Sequence, residues 1–376
     1  MATIAPIAFL LVFLARGLVV SQREMRALLV LTRAPLTSTL TVVIPARNEA
    51  TRIEATLHAL LVDESSHLRV IVYDDRSTDD TAARVRAIAS RDARLTLVVG
   101  EEPRESGFGK PLALAAAVAH TDVHEPYLLL LDADVVLAPG TLGGLVHLAR
   151  TRGVAALSGN PRLVCESLVE EALVPAFVAL VAAVYRPSRV MRTDDESAFL
   201  NGQLMLIERR ALGDVGGFLA VKDTVLEDVA LARRLKAKGH TLALADLRPH
   251  AATRMYTSWG EIRAGFGKNA VALYGGPLRT LLLGVLAFAL GTAPLVSLVF
   301  AFGFVVQPTV VAGVLALIFV VGVMQALLRA RMGQRAWPAL VVPITQSCVA
   351  FVLVEAALRA WRGGAIHWRG RVYDLK

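Results

Sequence analysis

Apolar positions along the chain fall into three regimes. Residues 3–20 form one nearly unbroken apolar run, interrupted at Arg16. It is just long enough to span a bilayer and reads as an uncleaved anchor. No lysine or arginine precedes it and no small-residue cleavage site follows, which argues against a signal peptide. From about 39 to 270 the apolar runs shorten and alternate with polar stretches of helical spacing. Leu40–Pro45, Val70–Tyr73, Leu95–Val99 and Tyr127–Leu131 read as strands. Between them, 48–62 carries Ile53, Leu57, Leu60 and Leu61 on one helical face. A second helix runs through Ile88, and 113–120 is an alanine-rich third. Strand and helix alternate, which predicts an α/β domain with a largely parallel sheet. After Gly276 the long runs return, at 281–302, 309–327 and 340–357, each near the length of a membrane span.

Composition sharpens this picture. Hydrophobic residues make up 55% of the 376 and charged residues 19%, too apolar for a soluble domain alone. The net charge of +8 comes largely from arginines flanking the apolar runs, such as Arg23, Arg26, Arg329, Arg331 and Arg335. That placement favours a membrane surface over a nucleic-acid groove, so no nucleic-acid partner is expected. Positive charge after the first run holds that side in the cytoplasm. One anchor plus three spans would then put the basic tail, 361–376, outside. Either one segment is re-entrant or interfacial, or the first run does not span. Cys165 and Cys348 lack metal-site or disulfide spacing.

The strand Leu128–Leu131 ends in Asp132-Ala133-Asp134. Ligands of parallel α/β sheets bind at the carboxyl ends of strands. Two hard oxygen ligands there suit Mg²⁺ or Mn²⁺ and a diphosphate. Alone, the triplet is more often a pair of solvated acids in a turn than a site. Two earlier strands end on the same edge, in Pro45-Ala46-Arg47-Asn48-Glu49 and in Asp74-Asp75-Arg76-Ser77-Thr78-Asp79-Asp80-Thr81. An acid such as Asp75 can accept bonds from a base or ribose, while Ser77 or Asp79 caps the following helix. Gly107-Phe108-Gly109-Lys110 opens a helix, where a lysine can meet an anion, though the pattern is too short for a Walker A loop. His250 is either a late metal ligand or a turn histidine.

The order VVIPARNE, VYDDRSTDDT, LLLLDADV and LEDVAL resembles the inverting glycosyltransferases of family two, over roughly residues 38–270. The resemblance implies a GT-A fold, a nucleotide-diphospho-sugar donor and a divalent metal, Mg or Mn. It implies that Pro45, Ala46 and Glu49 line the nucleotide pocket and that Asp75 contacts the base. Lys110 would touch phosphate. Asp132 would contact the nucleotide-sugar with Ala133 beside it, and Asp134 would ligate the metal with Asp132. Asp228, in Glu227-Asp228, would be the base that takes the acceptor's proton. Gln203, in Asn201-Gly202-Gln203, would line the acceptor cleft. The Gln-x-x-Arg-Trp motif of processive members is absent. Its place is taken by 254–269, which looks like the branch holding hopanoid-associated and carotenoid glycosyltransferases. That implies one sugar added to one lipid. In this stretch Tyr256 and Trp259 would share a helix at headgroup level, and Arg254 or Arg263 would pair with diphosphate.

The expected layout is a membrane anchor and basic linker (1–37), a GT-A domain (38–275), transmembrane segments (276–360) and a basic tail (361–376). The expected location is the inner membrane, multi-pass, with the catalytic domain cytoplasmic. Two alternatives stay open: a polyprenyl-phosphate sugar transferase, and a non-catalytic membrane assembly or transport subunit. A nucleotidyltransferase would want a Gly-rich N-terminal loop that this chain lacks.

Overall fold

The computed structural model describes residues 17, 19–102, 106–304, 308–364, 366–368 and 371–373. The expected anchor at 3–20 lies almost wholly outside these residues, as does part of the basic tail. The chain divides into two compact units. One holds Ala27–Val164 and Tyr185–Met255; the other holds residues up to Arg26, Cys165–Val184 and Tyr256–Lys376.

The first unit opens with β1 (Leu40–Ala46), α1 (Ile53–Leu61), β2 (Leu68–Asp74), α2 (Thr81–Ala89), β3 (Leu95–Val99), α3 (Gly109–Val118) and β4 (Tyr127–Leu131). It continues through β5 (Val135–Leu137), α4 (Thr141–Arg152), β6 (Ala156–Asn160) and β7 (Arg162–Leu163). After α5 (Leu168–Val184), which belongs to the other unit, come α6 (Pro187–Val190), β8 (Leu204–Glu208) and α7 (Arg209–Asp214). Helix α8 (Glu227–Ala237), β9 (Leu242–Asp246) and β10 (Ala251–Thr253) complete it. The main sheet has the order β3-β2-β1-β4-β8-β6-β9, and β5, β10 and β7 form a small second sheet.

Burial explains the strand sequences. Leu129 and Leu131 pack in one apolar cluster with Val42 and Ile44. Leu128 and Leu130 pack in another with Val43, on the opposite face. A strand covered on both faces reads as a continuous apolar run, not as an alternation. Strands β3, β2, β1 and β4 are parallel, so their carboxyl ends share one edge. The parallel run stops there: β8 lies antiparallel between β4 and β6.

The segment before β1 is more than a linker. Leu29 bridges Ala245 beside β9, its N–H donating to the Leu244 carbonyl and its carbonyl accepting from Asp246 N–H, both at 2.9 Å. Leu31 and Leu36 are buried in the core. Their path runs against α4, where a Cβ at Gly143 would stand 2.3 Å from the carbonyls of Ala34 and Pro35. Only glycine lets the two backbones approach this closely.

In the second unit, α9 (Trp259–Tyr274) is followed by α10 (Pro277–Phe304), α11 (Pro308–Arg331) and α12 (Val342–Trp361). Ser258 caps α9, accepting from Glu261 N–H at 3.2 Å, while the Glu261 carboxylate accepts from Thr257 N–H at 2.8 Å. That cap starts the helix at Trp259. Tyr256 therefore does not share it, contrary to the sequence expectation, and instead meets the Phe266 ring edge-on at 5.2 Å. Gly275 and Gly276, both with positive φ, precede Pro277, and the axis turns by 116° between α9 and the start of α10.

Among the described residues, three helices are long and apolar enough to cross a membrane: Leu168–Val190, Val311–Ala330 and Trp337–Trp361; the bent pair Trp259–Tyr274 and Pro277–Ala289 makes a fourth if counted as one span. The first of these was not anticipated from the sequence, because it interrupts the α/β pattern.

Candidate active site

The carboxyl edge of β1, β2 and β4 carries the residues that the motifs singled out. Pro45 and Ala46 pair with Tyr73 and Asp74 at the ends of β1 and β2. Arg47 ties the two strand ends, its Nη1 donating to the carbonyls of Asp75 (2.6 Å) and Arg76 (3.3 Å). Asn48 and Arg76 both adopt left-handed backbone, with φ of 54° and 57°, a conformation that costs side chains other than glycine. Asn48 is held there by Ser77 Oγ, which accepts from Asn48 N–H at 2.9 Å, and by its own Oδ1, which accepts from Thr78 N–H at 2.8 Å.

The N-cap position of α2 is Asp80, whose side chain makes no cap bond; of the two expected caps, only Asp79, one residue earlier, reaches the first turn. It accepts from Thr81 N–H, the first residue of α2, at 3.0 Å. Those bonds hold its carboxyl below the usual carboxylate range, against an opposing effect of burial. Ser77 serves the β1 loop instead. Glu49 is buried, its N–H donating to Thr81 Oγ1 at 2.8 Å. Asp75 is buried as well, its N–H donating to the Ala46 carbonyl at 2.8 Å.

Asp132 and Asp134 follow β4 in the tight turn to β5. Ala133 between them packs its methyl in the core, and its carbonyl accepts from Thr56 Oγ1 at 2.8 Å. This alternation turns the two acids away from the core side that Ala133 fills. Lys110, in the first turn of α3, reaches Asp132 Oδ1 at 2.7 Å and Glu227 Oε1 at 3.3 Å. Burial would lower the lysine's pKa, but Asp132, Glu227 and Asp228 outweigh it and hold the ammonium well above its ordinary value.

Asp228 opens α8. Its Oδ2 accepts from Gly202 N–H and its Oδ1 from Val229 N–H, both at 2.8 Å. The same turn holds the other acid: Asp132 N–H donates to the Gln203 carbonyl at 2.9 Å. Burial and the neighbouring Glu227 push the Asp228 carboxyl up to about 6, against the opposing pull of Lys110 and the two N–H donors. The Gln203 side chain accepts from Asn201 Nδ2 at 3.2 Å and donates to Thr253 Oγ1 at 3.5 Å.

Two further residues have their partners away from this edge. Arg263 is engaged within the second unit, its Nε donating to Glu355 Oε2 at 2.7 Å, with the guanidinium 5.5 Å from the Phe351 ring centre. It therefore pairs helices α9 and α12 here. His250 is a buried turn residue whose carbonyl accepts from Ala138 N–H (2.8 Å) and Thr141 Oγ1 (3.2 Å). Among the described residues, no three His, Cys, Asp or Glu side chains cluster as a metal site.

A model of the family described as glycosyltransferase-like family 2 matches residues 37–261. The chain belongs to that family. It is a glycosyltransferase, and it takes its sugar from a nucleotide-sugar. The transferase is 24% identical over 345 residues to the 4,4'-diaponeurosporenoate glycosyltransferase of Staphylococcus aureus, covering 89% of this chain and 88% of that one. It is 34% identical over 105 residues to the succinoglycan biosynthesis protein ExoU of Rhizobium meliloti, covering 28% and 29%. Among solved structures, it resembles the mannosyltransferase PcManGT from Pyrobaculum calidifontis, described in complex with GDP-mannose and Mn²⁺. That likeness has a TM-score of 0.54 and 21% identity, and covers 95% of this chain and 96% of the other. It establishes the GT-A type of fold, a mostly parallel α/β sheet.

Gly202 and Glu227 matter more to this geometry than their motifs foretold. A signal for Gly202 exists only in hindsight: a glycine two residues before an apolar strand, where another chain must come close.

Proposed function

We propose that the transferase is a membrane-bound inverting enzyme that moves one sugar from a nucleotide-diphospho-sugar to a hydroxyl of a lipid. The observation that carries this reading is the turn 201–203. Gly202 N–H holds Asp228 and the Gln203 carbonyl holds Asp132 N–H, so one short segment fixes a donor-side acid and a base-side acid together.

Pro45, Ala46, Glu49 and Asp75 would take the nucleoside, and Lys110 the diphosphate. Asp132 and Asp134 offer hard carboxylate oxygens, and too few for a protein-only cage. That donor set fits Mg²⁺ or Mn²⁺, which complete their shells with water and diphosphate oxygens. When bound, the metal supplies neutralisation of the charge gathering on the leaving diphosphate. Asp228 accepts the proton of the acceptor hydroxyl as its oxygen bonds the anomeric carbon. The bond from that carbon to the diphosphate breaks on the opposite side, and the nucleoside diphosphate leaves with the electron pair. Attack from that side inverts the configuration.

The similarity to a carotenoid glycosyltransferase supports a lipid acceptor. So do the exposed apolar side chains of the second unit, among them Leu282, Phe288, Phe319, Ile344 and Phe351, a surface that water alone would not favour. The stretch Leu168–Val190, made of α5 and α6, is long and apolar enough for a span, yet it is not one in this reading. Both ends of α5 continue into the α/β unit, at Leu163 in β7 and at Tyr185, which stacks on Phe199 at 4.9 Å. A crossing would split that unit across the bilayer. With Leu168, Val169 and Val184 exposed, α5 fits a helix lying in the interface.

The test incubates purified protein with radiolabelled nucleotide-sugars and membrane lipid extract, with EDTA or Mn²⁺. Labelled lipid should form from one donor only with Mn²⁺, and Asp134→Ala should not form it. No label from any donor, or equal label from wild type and Asp134→Ala, overturns the reading. Substantial activity in Asp228→Asn would instead point to a phosphate acceptor, which needs little base assistance.

A further inference from the structure

We infer that Lys110 is the resident cation of the donor site, bound to the metal-side carboxylate until metal and diphosphate arrive together and displace it. The inference rests on the donor-site reading above and adds an order of binding to it. Lys110 Nζ stands 2.7 Å from Asp132 Oδ1 and 3.3 Å from Glu227 Oε1. Asp132 lies at the end of β4, Glu227 at the start of α8 and Lys110 at the start of α3, so the ammonium joins three elements at one point. The Glu227 side chain is only 7% exposed, and a buried carboxylate needs a positive partner.

The arrangement has a cost for metal entering alone. A divalent ion on Asp132 would meet an ammonium already bonded to that carboxylate, and two cations sharing one acid repel. Leaving without a new anion would part the ammonium from Asp132 and leave Glu227 without its cation. A diphosphate removes the conflict, because its oxygens offer the ammonium another partner while they also bind the metal. The lysine's flexible stem and point charge suit such a move better than a planar guanidinium would. Bare metal therefore binds weakly, and each ligand strengthens the other, as linkage requires.

The experiment uses the full chain in detergent and titrates Mn²⁺ by the spin-resonance signal of the free ion. Each titration is run alone and with saturating UDP or GDP. Lys110→Met should bind Mn²⁺ alone at least about tenfold more tightly than wild type. The factor by which diphosphate strengthens Mn²⁺ binding should shrink correspondingly. Lys110→Arg, which keeps a cation, should bind Mn²⁺ alone as weakly as wild type, and melting temperatures confirm that both variants are folded. If Lys110→Met binds Mn²⁺ alone no more tightly than wild type, while Asp134→Ala loses Mn²⁺ binding, the exchange is refuted and the donor site stands. If Asp134→Ala leaves Mn²⁺ binding with diphosphate intact, the donor-site reading itself fails and the exchange falls with it.

Discussion

Gly202 sets how close the proposed base can stand to the donor side. A Cβ at this position would lie 2.9 Å from Asp228 Oδ2 and 3.3 Å from its Cγ. Gly202→Ala should therefore push the carboxylate aside rather than unfold the turn. The expected result is a fall in kcat of tenfold or more, on the order of 1.4 kcal/mol in the barrier, with a melting temperature close to wild type. The protonation of Asp228 makes a second prediction. Its folded pKa, pushed up to about 6, lies above the ordinary value, and a base works only when deprotonated. Activity should be full above that pH and fall as pH drops through about 6, tenfold per unit, in a kcat/KM profile. In Asp228→Asn this acid limb should vanish along with most of the rate, a loss of about 10²-fold or more. The sign for stability is opposite to that of a salt-bridged acid. A raised carboxyl pKa contributes stability at low pH that is lost as pH rises through the folded value. Asp228 is thus kept charged at neutral pH at some cost to the fold.

At the scale of elements, α5 shows how one apolar helix accommodates a proline. Pro175 lies within it and has no N–H for the carbonyl four residues earlier, that of Glu171. Arg329, from α11, fills the vacancy: its Nη1 donates to the Glu171 carbonyl at 2.9 Å and its Nη2 to the Ala172 carbonyl at 3.0 Å. The Glu171 side chain in turn meets Trp337 Nε1 and Arg335 Nη1. Arg329→Met should cost about 1–3 kcal/mol, because it leaves buried carbonyls unmet. In a Pro175→Ala background the backbone N–H returns, and the same substitution should cost less. Thermal melts of the four proteins in one detergent form the cycle, and equal costs in both backgrounds would sever the link between proline and arginine. The role of Arg329 was invisible in the sequence, where it counted only as positive charge flanking an apolar run.

For the whole molecule, the prediction concerns attachment. Apolar helices with large exposed side chains should keep the chain in the membrane fraction after carbonate and high-salt washes. Release by salt alone would mean that the flanking arginines, not the helices, hold it. The two units also divide the work by chemistry. The α/β unit carries every acid of the proposed donor site. The other carries the longest apolar runs, and among its charges Glu355 is paired with Arg263 and Arg359.

Asp132-Ala133-Asp134, the strand ends at Ala46 and Asp75, and Glu227-Asp228 were legible because their signals are local. A strand buried on both faces must be apolar throughout, and the acids at its end break that run visibly. The contacts that turn these acids into a site were not legible. Gly202 meets Asp228 across 26 positions and Arg263 meets Glu355 across 92. Likewise, nothing in residues 27–36 announced the bridge from Leu29 to β9, and the apolar α5 broke the alternation without revealing what it packs on. Hydrophobic period and turn residues determined which elements form and where the acids emerge. Only the packing of distant segments decided which backbone N–H, lysine or glycine each acid would meet, because those partners depend on close approach between chains that no local pattern records.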